Sequence, residues 1–385
     1  MKPSFPLKPL FATFLSASLL LSVSMLHAAD FTWTGAVSTD FDAPGNWTPG
    51  GYTHRSNVIF DSLTANQPGL DSNEDVSGLT FNTAGWTISS NGNTLRFFSV
   101  VTVTSNGVGT NTVESVATNA STASINYAIG AGNTLDLGTI TGTNKLSVTS
   151  KTGDGTLIIG ASPTATVRLL DQTIAGTLIL NADVNDNQFG KEVIVGNAAV
   201  FGGTGTISEG NRATYTVASG GTLAPGSIGL GDSSAGTQTF SNIATGTFRD
   251  IFVTLESGSK LALDIFGDGS SDSVTLLGND FEISNDISLT IESGVTLALA
   301  GTMAAGLDYT VATFTDGAVG DSTYTGVFDS VSFNGMTLGT SDYTFTYGTD
   351  AITIRFNVIP EPSTSLLLLG GLGAFLLRRK SRDNS

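Results

Sequence analysis

The chain has 385 residues, with 16 Lys and Arg against 33 Asp and Glu, and it contains no cysteine. The missing thiols exclude a disulfide scaffold and a cysteine-ligated metal site, and a net charge of −17 argues against nucleic-acid binding, which needs clustered cations. Only 13% of the residues are charged and 40% are hydrophobic, while Thr and Gly are abundant, so the composition favours strands joined by Gly-rich turns over a disordered chain.

Residues 1–29 have the pattern of a secretory signal peptide. Lys2 and Lys8 precede an apolar run, and Ala28 and Ala29 supply the small residues that signal peptidase needs, with cleavage after either one open. A transmembrane anchor is the alternative. Several serines interrupt the apolar run and no basic stop follows it, which favours cleavage and export.

Residues 30–90 are predicted to form an N-terminal cap and the first coils of a repeat array. Trp33 and Trp47 lie in Gly-containing phrases, and the apolar stretch 58–60 follows them. Large aromatic side chains suit the end of a solenoid, because the first coil has no neighbour to cover it.

Residues 91–300 repeat a short phrase in which Gly precedes alternating apolar residues. Its apolar anchors are Leu95, Leu135, Leu157, Leu178, Ile207, Leu223, Leu261 and Leu297. Their gaps cluster near 20 residues or twice that number, and a period near 20 is typical of a solenoid. At about 20 residues per coil the whole body of about 330 residues could form roughly 16 coils, and we expect fewer because some residues form caps.

A coil of this length exposes too few aliphatic side chains to bury them alone, so coils must stack at about 4.8 Å and share one apolar column. Gly residues are expected at the corners, and Thr and Ser on the outside. The alternative is a pair of β-sandwiches with Gly-rich turns. Within 301–359, alternating segments that end near Phe314, Tyr347 and Phe356 predict antiparallel strands that close the far end.

The region 30–300 resembles the autotransporter-associated β-strand repeat family of bacterial surface proteins. The matching phrases are the Trp-containing opening, Gly-x-Gly-Thr-Leu at 153–157, and the Gly-rich stretches 202–207 and 220–226. The resemblance implies a right-handed parallel β-helix. The chain lacks the C-terminal membrane β-barrel of true autotransporters, so self-translocation is not expected.

Residues 360–385 form a tail with three parts. Pro360, Glu361 and Pro362 precede an apolar stretch at 366–377, and the basic cluster Arg378, Arg379 and Lys380 follows. The stretch is shorter than the ~20 residues that span a bilayer core, and the trailing cations fit the cytoplasmic side. The prolines keep Glu361 extended, which suits a protease cleft. A plain tail anchor is the alternative.

This tail closely resembles the PEP-CTERM sorting signal of exported bacterial proteins. The resemblance implies that an exosortase, an integral-membrane cysteine protease, recognises Pro360, Glu361 and Pro362, while the basic cluster retains the precursor in the membrane through 366–377. It also implies a Gram-negative host that makes exopolysaccharide.

The repeat pattern, the β-strand-repeat resemblance and the terminal segments together predict the fold class. We expect an all-β protein, a right-handed parallel β-helix with an aromatic N-terminal cap and a short antiparallel C-terminal cap, plus short apolar helices at both termini.

Few residues can carry chemistry. His54 is the single histidine after the signal peptide and is expected at the surface or in the cap; one His without Cys does not make a zinc site. The Gly-rich phrases at 153–155 and 203–205 lack the third Gly of a phosphate-binding loop, so we expect corners there.

Carboxylates are the remaining candidates for catalysis or for calcium binding. They cluster at 71–75, at 183–187, and at Asp264 with its neighbours Asp268 and Asp272; the calcium candidates are Asp183, Asp186, Asp268 and Asp272. Solvated turns between coils are the alternative.

Without the two terminal signals, but with Glu361 kept, the body has 10 basic and 32 acidic residues, a net charge near −22. The expected function is that of a non-enzymatic structural or adhesive protein at the cell surface, outer membrane or extracellular matrix, associated with exopolysaccharide. Signal peptidase and exosortase are its expected partners during export, and no cofactor is expected unless calcium binds. A β-helix polysaccharide lyase or glycosidase with paired Asp residues, or a non-catalytic sugar-binding module, is the alternative.

Overall fold

The computed structural model describes residues 28–118, 124–161, 167–186, 188–226, 233–242, 250–278, 286–315 and 322–357. These ranges contain 32 strands, one 3-10 turn at Pro44–Asn46 and no α-helix. Strands β1 to β12 are Asp30–Trp33, Trp47–Thr48, Ser56–Phe60, Glu74–Phe81, Thr87–Ile88, Leu95–Ser105, Gly109–Thr118, Ser124–Ile129, Asn133–Ile140, Leu146–Thr152, Thr156–Ile159 and Val167–Leu169. Strands β13 to β22 are Gln172–Ile174, Thr177–Leu180, Val184–Asp186, Lys191–Val195, Val200–Gly203, Thr206–Glu209, Ala213–Val217, Thr222–Pro225, Thr237–Asn242 and Ile251–Leu255. Strands β23 to β32 are Lys260–Ile265, Ser273–Leu277, Ile287–Ile291, Thr296–Gly301, Asp308–Thr315, Ser322–Thr325, Ser330–Phe333, Met336–Thr337, Tyr343–Tyr347 and Ala351–Phe356.

The strands stack in three parallel ladders. The first ladder is β1-β3-β4-β6-β8-β10-β12-β15-β18-β21-β24-β27, the second is β5-β7-β9-β11-β14-β17-β20-β23-β26-β29, and the third is β13-β16-β19-β22-β25-β28. From β14 onward the chain visits the second, first and third ladders in turn and then returns one level higher. This repeated three-strand rung is a parallel β-helix, so the predicted fold class is confirmed.

The core of the coil is built from rows of aliphatic side chains that stack in register. In the second ladder one row is Leu135, Leu157, Leu178, Phe201, Leu223, Leu261, Leu297 and Val331. All eight side chains are buried. Each rung therefore covers the apolar row of its neighbour, and at roughly 25 cal/mol per Å² this shared burial is the main favourable contribution to folding.

The rung length corrects the predicted period. Between Leu135 and Leu223 one rung takes 21 to 23 residues, but from Leu223 to Val331 it takes 34 to 38. The gaps of 38 and 36 residues after Leu223 are thus single wide rungs, whereas the gap from Leu95 to Leu135 covers nearly two rungs, because Leu95 pairs with Val116 and Val116 with Ile140. The first ladder contains 12 described strands, fewer than the roughly 16 coils that a uniform 20-residue period would give. The described strands of the wide rungs remain 4 to 8 residues long, so the ladder is kept while the rung lengthens.

An aromatic cluster closes the N-terminal end, as predicted. Trp47 packs edge-on against Trp33 and Phe41, with ring centroids 5.0 and 4.9 Å apart, and stacks on Tyr52 at 5.2 Å. The Trp47 indole N–H donates to the Phe41 carbonyl oxygen at 2.6 Å. The cap is also the first rung, because β1 pairs in parallel with β3.

Antiparallel strands close the C-terminal end, as predicted. Strand β32 pairs antiparallel with both β27 and β31, and β30 pairs antiparallel with β29. Strand β27 also pairs in parallel with β24, so the parallel array continues past residue 300 and the cap begins on its last rungs. Arg355 binds Asp308 through two N–H···O bonds of 2.8 and 2.7 Å across β32 and β27.

The apolar terminal segments predicted to be helical, within 1–27 and at 366–377, lie outside the described residues. No helix in the described ranges is long and apolar enough to cross a membrane.

We predict that Gly203→Ala lowers the midpoint of thermal unfolding far more than Gly190→Ala. Both glycines have positive φ, +128° and +71°, but a Cβ on Gly203 would overlap the carbonyl oxygen of Leu180 in the rung below, whereas Gly190 faces open space. The loss should be about 3 kcal/mol or more at Gly203 against about 1 kcal/mol at Gly190. Equal losses in the two variants would contradict the described rung contact.

Candidate functional site

The predicted processing residues Pro360, Glu361 and Pro362 and the cations Arg378, Arg379 and Lys380 lie outside the described residues. At the other end, Ala28 and Ala29 are described and precede β1 directly. The Ala29 carbonyl oxygen accepts a hydrogen bond from the Asn57 N–H at 2.9 Å, so the first rung includes Ala29.

The calcium candidates Asp183 and Asp186 have different surroundings. Asp183 accepts the Thr206 backbone N–H at 2.8 Å and so links one rung to the next. Asp186 is buried, and its Oδ1 accepts the Arg168 Nε–H at 3.1 Å. Asp183 therefore acts as a corner link, while Asp186 belongs to a buried ionic cluster.

The carboxylates of the second candidate cluster, at 264–272, likewise accept hydrogen bonds from protein groups. Asp268 is exposed and accepts the backbone N–H and the hydroxyl of Ser270 at 2.9 and 2.6 Å, and these bonds hold its pKa below the usual value. Asp272 is buried and accepts the Gly236 and Asp264 N–H groups at 2.6 and 3.1 Å. In the described part of the chain no group of three or more His, Asp or Glu is arranged to hold a metal ion.

The carboxylates at 71–75 are the exposed Asp71 and two buried acids, Glu74 and Asp75. Glu74 Oε1 lies 2.5 Å from the Ser72 hydroxyl, and its Oε2 lies 3.3 Å from Nδ1 of His54, which is half exposed on the cap. Burial raises the pKa of Glu74 to about 7, against the lowering effect of the Ser72 bond, and Asp42 raises it further. Asp75 pairs with Arg96 at 2.7 Å. Because Glu74 is inaccessible to solvent, a polymeric substrate cannot reach it without movement of the cap.

A buried lysine explains one of the Gly-rich corners. Lys151 is fully buried, and its ammonium donates to the carbonyl oxygens of Thr152, Gly153 and Ala175 at 3.2, 2.9 and 2.7 Å. Burial lowers its pKa to about 8. Gly153 has φ +74°, so the phrase at 153–155 is a corner, as predicted.

A second buried lysine lies in the ionic cluster. Lys191 at the start of β16 donates to Glu209 Oε1 and lies 3.9 Å from Asp186 Oδ2, and the Tyr215 hydroxyl also donates to Glu209 Oε1. All four side chains are at most 2% exposed. Sequence reasoning found only Asp186 here. Lys191, Glu209 and Tyr215 lie at inward-facing strand positions, where the apolar alternation predicts hydrophobic residues. A charged residue at such a position is the feature of the sequence that could have indicated a buried ionic cluster.

The third ladder carries an outer surface rich in hydroxyl groups. Its outward positions form two rows, Thr214, Phe252, Ser288 and Thr323 in one, and Thr216, Thr254, Thr290 and Thr325 in the other. We call these two rows the hydroxyl face. All eight residues are partly or fully exposed, and the Arg212 guanidinium lies 5.0 Å from the Phe252 ring centroid. On β16 the two rows continue as Glu192 and Ile194, which pair with Thr214 and Thr216, so the eight residues form a polar surface with one carboxylate at its N-terminal edge.

No protein-family model matches the chain, and no curated protein is significantly similar to it in sequence.

We predict that Glu74 makes the protein less stable as the pH rises from about 4.5 to about 7. In that range the unfolded chain ionises this carboxyl while the folded chain keeps it protonated, so unfolding releases a proton and becomes easier. Relative to Glu74→Gln, the wild type should lose about 3 kcal/mol of stability between pH 4 and pH 8. Thermal midpoints measured across this range test it, with exposed Glu192→Gln as the control. Parallel pH curves for wild type and Glu74→Gln would contradict the prediction.

Proposed function

We propose that this protein is an exported, non-catalytic structural or adhesive component of the cell surface or extracellular matrix that binds neutral exopolysaccharide through its hydroxyl face. The observation that carries the proposal is the pair of outward rows on four successive rungs of the third ladder. A polymer with a regular repeat meets an equally regular row of hydroxyl groups, and many weak contacts then act together.

Charge favours a neutral polymer. The body carries a net charge near −22, with 10 basic and 32 acidic residues, so it repels anionic polysaccharides at low salt. The hydroxyl rows add donors and acceptors without further charge, and Phe252 offers an aromatic surface on which a sugar ring can stack. The proposed binding requires no cofactor.

Export is supported by the signal-peptide pattern and by the resemblance of 360–385 to the PEP-CTERM signal. We propose that signal peptidase cleaves after Ala28, because this cut keeps the Ala29 carbonyl that accepts the Asn57 N–H. Exosortase would then process the precursor near Glu361, and the apolar stretch 366–377 would hold it in the membrane of a Gram-negative host until that step.

A polysaccharide lyase or glycosidase is the alternative. The raised pKa of Glu74 beside Asp42 is the feature that favours it, since a general acid must be protonated near neutral pH. The burial of Glu74 favours the non-catalytic proposal instead. If the purified protein shortens a neutral or acidic glycan, this result would support the enzyme hypothesis and contradict the non-catalytic one.

We predict that the triple variant Thr216→Val, Thr254→Val and Thr290→Val binds neutral glucan beads at least about tenfold more weakly than the wild type. Valine keeps the β-branched shape but removes three hydroxyl groups, each contributing about 0.5–1.5 kcal/mol. The control replaces Thr134, Thr156 and Thr177 on the second ladder by Val. Unchanged binding by the first variant, or wild-type binding to anionic polymers alone, with or without calcium, would contradict the proposal.

We predict that Glu361→Ala leaves the C-terminal tail uncut in the export host, because the acidic side chain between the two prolines is the proposed recognition element. Ser365→Ala, which keeps the tripeptide, is the control and should be processed as the wild type. The intact mass of the exported protein reports cleavage at the N-terminus and at the C-terminus together. The mature chain should begin at Ala29. A Glu361→Ala protein with the mature wild-type mass would contradict processing at this motif.

A further inference from the structure

The ionic cluster inside the coil contains the groups needed to form a covalent link between two rungs. Asp186 and Glu209 occupy equivalent positions on β15 and β18, one rung apart in the first ladder. Lys191, at the start of β16 in the third ladder, reaches across the corner to both carboxylates. Its Nζ lies 5.5 Å from the Tyr215 ring centroid, and Tyr215 packs against Phe201 and Phe240, so an aromatic wall separates the cluster from water.

We infer that Lys191 and Glu209 form an intramolecular amide bond without an external enzyme, which makes this cluster a self-modification site. The inference is independent of the proposed function.

Each group of the cluster has a role in the reaction. Lys191 Nζ is the nucleophile and already contacts the Glu209 carboxyl group, so the reacting atoms are held together as in an efficient intramolecular reaction. Glu209 must react as the neutral acid, and burial raises its pKa in that direction. The Tyr215 hydroxyl donates to Oε1, where negative charge develops during attack. Arg168 holds the Asp186 carboxylate 3.9 Å from Nζ, where it can carry protons.

The atoms balance without oxidant, reductant or co-reactant. Asp186 takes one proton from the Lys191 ammonium, and the free amine attacks Cδ of Glu209 to form the C–N bond. Oε2 already carries the carboxyl proton of the neutral acid. It takes a second proton from Asp186 and leaves as water when the Cδ–Oε2 bond breaks, while Asp186 takes another proton from the nitrogen. One hydrogen stays on the amide nitrogen, and Asp186 ends protonated. In the described structure Oε2 is a buried atom without a hydrogen-bond partner, so its departure removes an uncompensated polar atom.

The driving force is the removal of buried charge. A buried ion pair loses several kcal/mol of hydration per ion, which its mutual attraction does not always restore. A neutral amide removes that cost. The link would join β16 to β18, 18 residues apart in sequence and on successive rungs, in a chain that has no cysteine for a disulfide.

Lys151 is a matched control within the same chain. It is as completely buried as Lys191, but its ammonium contacts only backbone carbonyl oxygens. A backbone carbonyl offers no acid group that can leave as water, so Lys151 must stay unmodified.

The test is the intact mass of the folded full chain after denaturation. The wild type should be lighter than its sequence mass by one water molecule, and Lys191→Arg should have its full sequence mass, because a guanidinium does not act as the nucleophile. Trypsin should cut the denatured wild type after Lys151 but not after Lys191. Chymotrypsin, which can cut after Phe189 and Phe201, should leave the peptide containing Lys191 joined to the one containing Glu209.

A wild-type protein with full sequence mass would overturn the inference whether or not any variant folds. Water loss located elsewhere in the chain would also overturn it, as would an amide to Asp186 or tryptic cleavage after Lys191. Asp186→Asn, which removes the proton carrier but keeps the side-chain size, should form the bond at least tenfold more slowly after refolding. Bond formation at the wild-type rate would overturn the role of Asp186.

Discussion

The stacking of one rung on the next is the constraint on which every other feature depends. A rung of three short strands cannot bury its own inward side chains, so its stability comes from the rungs above and below. The second ladder illustrates this, since Leu157 lies between Leu135 and Leu178 and is fully buried by them. The backbone hydrogen bonds run along the same direction, so burial and hydrogen bonding favour the same register.

The two ends follow from the same constraint, because a terminal rung has one face without a neighbour. At the N-terminus the aromatic rings around Trp47 provide the missing apolar surface. At the C-terminus β32 reverses direction and pairs antiparallel with β27 and β31, which covers the open edge of the first ladder. Open edges promote aggregation, so both caps protect the solenoid as well as stabilise it.

Polar residues inside the coil show what the stack tolerates. Lys151 is satisfied by three carbonyl oxygens at a corner. The pairing of Lys191 with Glu209 and Asp186 instead places charges of both signs at one corner of successive rungs. On the outside, the same register aligns Thr216, Thr254 and Thr290. The register that builds the core therefore also builds the buried cluster and the outer hydroxyl rows.

The sequence by itself determined the all-β class, the solenoid, the Gly corners and the aromatic cap, because these depend on alternation and on residue types within a short window. It did not determine rung length. Gaps near 36 residues fit one wide rung as well as two narrow ones, and only the pairing of Leu223 with Leu261 decided between them. The contact between Lys191 and Glu209 was also decided only by the tertiary structure. Strand alternation predicts which side chains point inward but not which of them meet across a corner.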